Sequence, residues 1–169
     1  KNVNAIKKLQ DGRITLSINE GESFIADSVL IATGSKPLGY NLATALGHSI
    51  TEIAPSLFTF KIDDPILENL SGTSFSNATL TLKIENSKPF IQTGALLITH
   101  WGLSGPALLK LSAWAAREMM HASYKAKIVV NWLSIDNKDD AEKWLKAIKK
   151  NNTKTSIGNA YPKNLTKRF

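Results

Sequence analysis

Apolar and polar residues alternate with period two in "RITLSIN", Arg13 to Asn19, as they do in a half-buried strand. "VNAI" before it and "SFIA" after it complete a predicted three-stranded meander. Its turns are "DG" at Asp11-Gly12 and "NEG" at Asn19 to Gly21. "SLFTFKI" and "ATLTLKIE" repeat the alternation and predict antiparallel strands, with Pro65 and "LSGTS" as punctuation between them. "GALLITH" and "AKIVVNWL" predict two more. "DSVLIAT" is different: Val29 to Ala32 is a continuous apolar run, the pattern of a strand buried on both faces in a parallel sheet.

Helical spacing occupies three stretches. "YNLATALG" suits a short helix with Gly47 as the left-handed residue that ends it. From Pro106 to Met120, Leu108, Leu111, Ala115 and Met119 share one face; Ser104 is the predicted N-cap and Pro106 fits the first turn. "DNKDDAEKWLKAIKK" predicts an amphipathic helix with Ala141, Trp144, Leu145 and Ile148 inward and Lys143, Lys146 and Lys150 outward. "PKNLTKRF" is expected to begin another helix. Trp114, Trp132 and Trp144 sit in periodic apolar patterns and are expected in cores, whereas Trp101 breaks the pattern and is either a pocket wall or a solvent-facing ring.

Composition narrows the class. With 169 residues and 43% hydrophobic content the chain can build one core or two small ones. It has no cysteine, which excludes disulfides and thiolate metal sites and fits a reducing, cytoplasmic compartment. His48, His100 and His121 lie too far apart for a zinc motif, so no metal is expected. No apolar run reaches the ~20 residues of a membrane span, and "KNVNAIKKLQ" is no signal peptide. The chain opens directly in strand-like sequence without a methionine and is expected to be part of a longer polypeptide. The net charge is +7, concentrated at the end: Lys138 to Phe169 holds nine basic residues against three acids. No aromatic residues interleave with these lysines as a stacking platform for bases would require, so a solvated helix face is expected there rather than nucleic acid.

Two constellations carry chemistry. In "ADSVLIATGSKP" a buried strand is expected to end at Ala32, followed by the small residues Thr33 and Gly34, with Pro37 stopping further regular structure. Small residues at a strand's carboxyl end let a ligand approach the backbone, although an ordinary strand-to-loop exit reads the same way. In "LLITHWGLSGPALLKLS", Leu96 to Ser112, an apolar run stops at Thr99-His100 and two glycines precede a helix. One reading is a tight connection, with Gly102 and Gly105 making the turn and Ser104 capping the helix. The other is a ligand pocket in which the His100 imidazole acts as an acid or base and the helix N-terminus holds an anion. His48 is expected to cap or contact a core, and His121 to lie at the surface near a helix end.

The order of meander, apolar strand, "ATG" and proline resembles the second signature of two-dinucleotide-binding flavoproteins. That resemblance implies that Ala32, Thr33 and Gly34 lie beside an FAD, contacting it through backbone. "GHSITEIAPSLFTF", "LSGTSFSNATL" and "THWGLSGPA", in this order, resemble the BaiN-like family of bacterial NAD(P)/FAD-dependent oxidoreductases, the aminoacetone-oxidase-like flavoproteins. The resemblance implies a flavin domain interrupted by an inserted domain. It also implies a substrate- or flavin-facing turn at Thr99, His100, Trp101, Gly102, Ser104 and Gly105, with His100 as the catalytic candidate. FAD and NAD(P)H are the implied cofactors, and a small molecule the implied substrate. The chain departs from the family where Ser35 replaces a second glycine and "PLGYNLA" lacks an aspartate. No G-x-G-x-x-G occurs, so the chain by itself is expected to bind FAD weakly or not at all and to be inactive alone.

The fold class expected is α+β: an antiparallel, barrel-like inserted domain with a helical part, plus the last strands of an FAD domain. Residues 1–37 are read as the end of that FAD domain, 38–57 as a connection, 58–134 as the β-rich insert and 135–169 as a helical segment. The insert would cover the flavin and shape the substrate site, its partner being the remaining FAD domain of the same chain. The rivals are a nucleic-acid-binding module and a scaffold β-domain with a basic end.

Overall fold

The computed structural model of this chain describes residues 2–156, 159–160, 165 and 168–169. They form two units, 1–53 and 54–169.

The first unit holds the expected meander. β1 (Val3–Lys8), β2 (Ile14–Ile18) and β3 (Ser23–Ala26) pair antiparallel in that order. In the β1–β2 turn the Arg13 guanidinium, 2.8 Å from Asp11, holds the Asp11 carboxyl below its ordinary value. α1 (Pro37–Ala45) lies against β1, where Ile6 and Leu42 are buried. Pro37 therefore opens a helix rather than stopping regular structure, because its fixed φ and missing N–H suit the first helical position. The far end is a Schellman motif: Gly47, at φ +90, donates to Thr44 O, and the His48 N–H donates to Ala43 O. His48 thus caps through its backbone, with its side chain exposed.

"DSVLIAT" is not a strand. Residues 28–33 have no regular structure, and Leu30 is 89% exposed. A strand exists only when a neighbour accepts its ladder of hydrogen bonds. No backbone hydrogen bond reaches Ser28 to Gly34 among the described residues.

The second unit is a five-stranded antiparallel sheet. β4 (Phe60–Lys61), β5 (Ser74–Lys83), β6 (Phe90–Thr99), β7 (Gly102–Ser104) and β8 (Lys127–Asn131) lie in the order β4-β7-β6-β5-β8. "SLFTFKI" contributes only two residues, since its partner β7 is three residues long. Ile62, just past β4, and Ile128 of β8 line the same two small cavities, so the sheet curls until its edges face each other as a half-barrel. Along β5, Phe75, Ala78, Leu80 and Leu82 point inward, and a bulge between Phe75 and Ala78 keeps both on the core face despite their odd spacing.

α2 (Pro106–Trp114) packs on this sheet, and α3 (Ala116–His121), which follows it, adds Met119 to the same core. The predicted face is the buried one: Leu108, Leu111, Ala115 and Met119 are at most 4% exposed. The helix bends at Ala115, yet Ala115 N–H still reaches Leu111 O and Met119 N–H reaches Ala115 O. Trp114 is 74% exposed, contrary to its expected place in the core, because it falls on the flank of this face, outside the covered stripe of Leu108, Leu111, Ala115 and Met119. Trp132 does pack against the core. α4 (Lys138–Asn151) begins at the Asn137 cap, whose side chain accepts from the Asp140 N–H. On its predicted inward face Ala141, Trp144 and Ile148 are half-buried and Leu145 is exposed; no residue of α4 is fully buried, so that face is only partly covered among the described residues. The helix expected in "PKNLTKRF" falls mostly outside the described residues.

Candidate functional site

The stretch from Leu96 to Ser112 folds as a hairpin followed by a helix. Thr99 pairs with Gly102 across β6 and β7, leaving His100 and Trp101 as a two-residue turn. The Thr99 hydroxyl donates to Gly102 O at 3.1 Å and closes it. Both turn side chains are exposed, and the Trp101 ring stands edge-on to the His100 ring at 6.4 Å. Trp101 is thus a solvent-facing ring in this chain. His100 Nδ1 lies 3.1 Å from Ser71 Oγ, across an open groove of about 600 Å³ that Arg168 also lines.

The two glycines and Ser104 do other work than expected. Gly102 is not in the turn; it starts β7, at φ +146. A Cβ there would strike Phe60 O and come within 2.6 Å of Ile62 N, so only glycine lets β4 lie this close. Gly105, at φ +109, is the residue before the helix; a Cβ there would meet Ala95 O at 2.9 Å and Leu96 Cα at 3.0 Å. Ser104 lies in β7 and does not cap α2, whose N-cap is Gly105 with no side-chain bond. The structure therefore brings Thr99, His100, Trp101 and Gly102 into one hairpin end, and places Ser104 and Gly105 at the other end of β7.

A residue that the sequence pattern did not single out holds this arrangement together. Ser112 is fully buried on α2; its Oγ accepts from the Phe58 N–H at 3.0 Å and donates to Leu109 O at 2.9 Å. This ties the segment leading into β4 to the helix. A serine amid leucines at an inward helical position was the available signal.

Ala32, Thr33 and Gly34 lie in the first unit. Gly34 has φ +64, and a Cβ there would meet nothing within 4 Å. Thr33 sits against Gly39 of α1, where a Cβ would strike its hydroxyl. Among the described residues no backbone hydrogen bond reaches 32–34, and the flank of Gly34 is open, which leaves room for one wall of a nucleotide site. Nothing here fits a complete one, since the glycine-rich phosphate turn is not among these residues. His121 is exposed in the last turn of α3, as expected. No group of three metal-ligating side chains gathers among the described residues. No described helix is long and apolar enough to cross a membrane.

Comparison with known proteins agrees with this geometry. Residues 54–169, the whole second unit, match the family described as HI0933-like protein barrel and H2TH domain. The chain is 32% identical over 108 residues to the ribosomal RNA dihydrouridine synthase of Escherichia coli K12, covering 59% of this chain and 26% of that protein. It is 30% identical over 123 residues to the protein of the same name from Haemophilus influenzae, covering 65% and 29%. It is 25% identical over 122 residues to the 3-dehydro-bile acid delta(4,6)-reductase of Clostridium scindens, covering 68% and 29%. The chain thus spans little more than a quarter of the length of these relatives. Its half-barrel and its match over 54–169 make it a member of the HI0933-like family, the BaiN-like flavoproteins.

Proposed function

We propose that this chain is the substrate-side part of an FAD-dependent reductase that saturates a ring carbon–carbon double bond. The carrying observation is what the relatives' names share. A dihydrouridine synthase and a delta(4,6)-reductase both describe reduction of such a bond. When bound, the flavin supplies the hydride.

The chain's own residues would contribute in three ways. The bare backbone at Ala32 to Gly34 would contact the nucleotide from one side. The uncovered run at Val29 to Ala32, with Leu30 exposed, would enter a sheet supplied by the rest of the polypeptide. The half-barrel would cover the flavin and exclude water, with the His100–Trp101 turn facing the substrate. There the exposed His100 ring can give or take a proton.

Between the two substrates, charge favours RNA. The interleaved aromatics of a base-stacking platform are missing, but a folded rRNA is gripped through its phosphates, for which a +7 chain is suited. The test is NAD(P)H-dependent reduction by the polypeptide of the whole reading frame, offered an rRNA fragment and a conjugated 3-keto steroid. The expected result is turnover with the RNA that falls on raising salt and is lost in His100→Ala. Absence of turnover with both would refute the reductase reading, and full activity of His100→Ala would refute the role of the turn.

A further inference from the structure

We propose that the groove lined by Ser71, His100 and Arg168 binds a phosphate group. Its three polar groups come from separate parts of the chain. His100 is the turn of the β6–β7 hairpin. Ser71 lies in the connection to β5, which is fixed to β6 by Gly72 N–H to Ile98 O and Ile98 N–H to Thr73 O, both at 2.9 Å. Arg168 comes from the far end of the chain and donates to Ser71 O at 3.4 Å. Its neighbour Phe169 is anchored between Phe75 and Trp132, with ring centroids at 4.9 and 5.1 Å, and this holds the guanidinium beside Ser71.

The Ser71–His100 contact leaves a proton donor whichever way it is made. If the hydroxyl donates to Nδ1, the ring's Nε2–H is left over. If Nδ1–H donates to the hydroxyl oxygen, the hydroxyl proton is left over. Arg168 adds a permanent charge with a fork of donors matched to phosphate oxygens. No carboxylate pairs with Arg168 among the described salt bridges. Glu68 also lines the groove and opposes an anion, which sets the sign of a control.

This assignment deepens the substrate-side reading of the His100 turn and rests on it only for whose phosphate is bound. The owner is either the backbone of an RNA substrate or a nicotinamide dinucleotide. The experiment is a titration of the 169-residue chain with inorganic phosphate at constant ionic strength, followed by amide and Trp101 indole NMR shifts. Saturable shifts confined to Ser71, His100, Trp101 and Arg168 are expected. Arg168→Gln should weaken binding about tenfold or more, and Glu68→Gln should tighten it. Lys149→Gln/Lys150→Gln on α4 should leave it unchanged. A short oligouridylate and NADPH, added separately, then show which displaces phosphate from these residues. Displacement by neither leaves the phosphate site standing and removes the RNA and dinucleotide readings of it. Shifts spread over the lysines of α4, or an Arg168→Gln chain that binds like the parent, would overturn the proposal.

Discussion

Replacing Gly102 by alanine tests whether the glycines of "THWGLSG" serve architecture. At φ +146 an L-residue is strained by about 1–3 kcal/mol. The new Cβ would also collide with backbone of β4 at Phe60 and Ile62, which has no flexible end to move aside. Overpacking of this kind costs about 1–3 kcal/mol more. The sum is about 2–6 kcal/mol, a large part of the ~5–15 kcal/mol that holds a domain together. Gly72 of the same unit is the control: its φ is +85, but a Cβ there would meet nothing within 4 Å. Gly72→Ala should cost only the left-handed penalty, about 1–2 kcal/mol. Urea unfolding followed by far-UV circular dichroism measures both. With a slope of about 1–3 kcal/mol per molar urea, the collision term alone should lower the Gly102→Ala midpoint by about 0.3–3 M beyond Gly72→Ala. Equal midpoints would refute the close approach of β4 to β7.

Three further outcomes follow from particular contacts. Ser112→Ala strands the part-buried Phe58 N–H and should cost about 1–2 kcal/mol in the same assay, whereas an unchanged midpoint would mean that the contact is dispensable. Leu30→Lys should change the stability of this chain by less than about 0.5 kcal/mol because the side chain is exposed; a cost of several kcal/mol would show that Leu30 is buried. The Arg13-bound Asp11 carboxyl titrates below its ordinary value, so its contribution is present above the unfolded pKa of about 3.9 and is lost as pH falls through the lower folded value. A carbon-detected NMR titration giving Asp11 an ordinary pKa would contradict this, and Arg13→Gln should restore that value.

Local chemistry was legible where it decides the structure alone. The "DG" turn, the alternation in "RITLSIN" and the glycine after "NLATAL" each act within a few residues, and the meander and the Schellman end of α1 formed as read. The face of Leu108, Leu111, Ala115 and Met119 was legible because helical spacing and burial coincide there. Pattern failed where tertiary approach decides. Gly102 and Gly105 look like turn glycines, but both exist because another backbone passes against them. "DSVLIAT" has the composition of a buried strand, yet composition cannot supply the neighbour that a ladder needs. Leu145 and Trp114 lie at the edges of helix faces that are covered elsewhere, and pattern alone does not say how far the cover reaches. At the site, the resemblance marked the His100 turn, but its partners Ser71 and Arg168 lie 29 and 68 residues away, beyond any local pattern.

The polypeptide of the whole reading frame, purified without added cofactor, should show the visible absorption of one bound FAD per chain, while the 169-residue chain titrated with FAD should show no micromolar binding. A colourless full-length protein that takes up no added FAD would contradict the account, as would tight FAD binding by this chain alone.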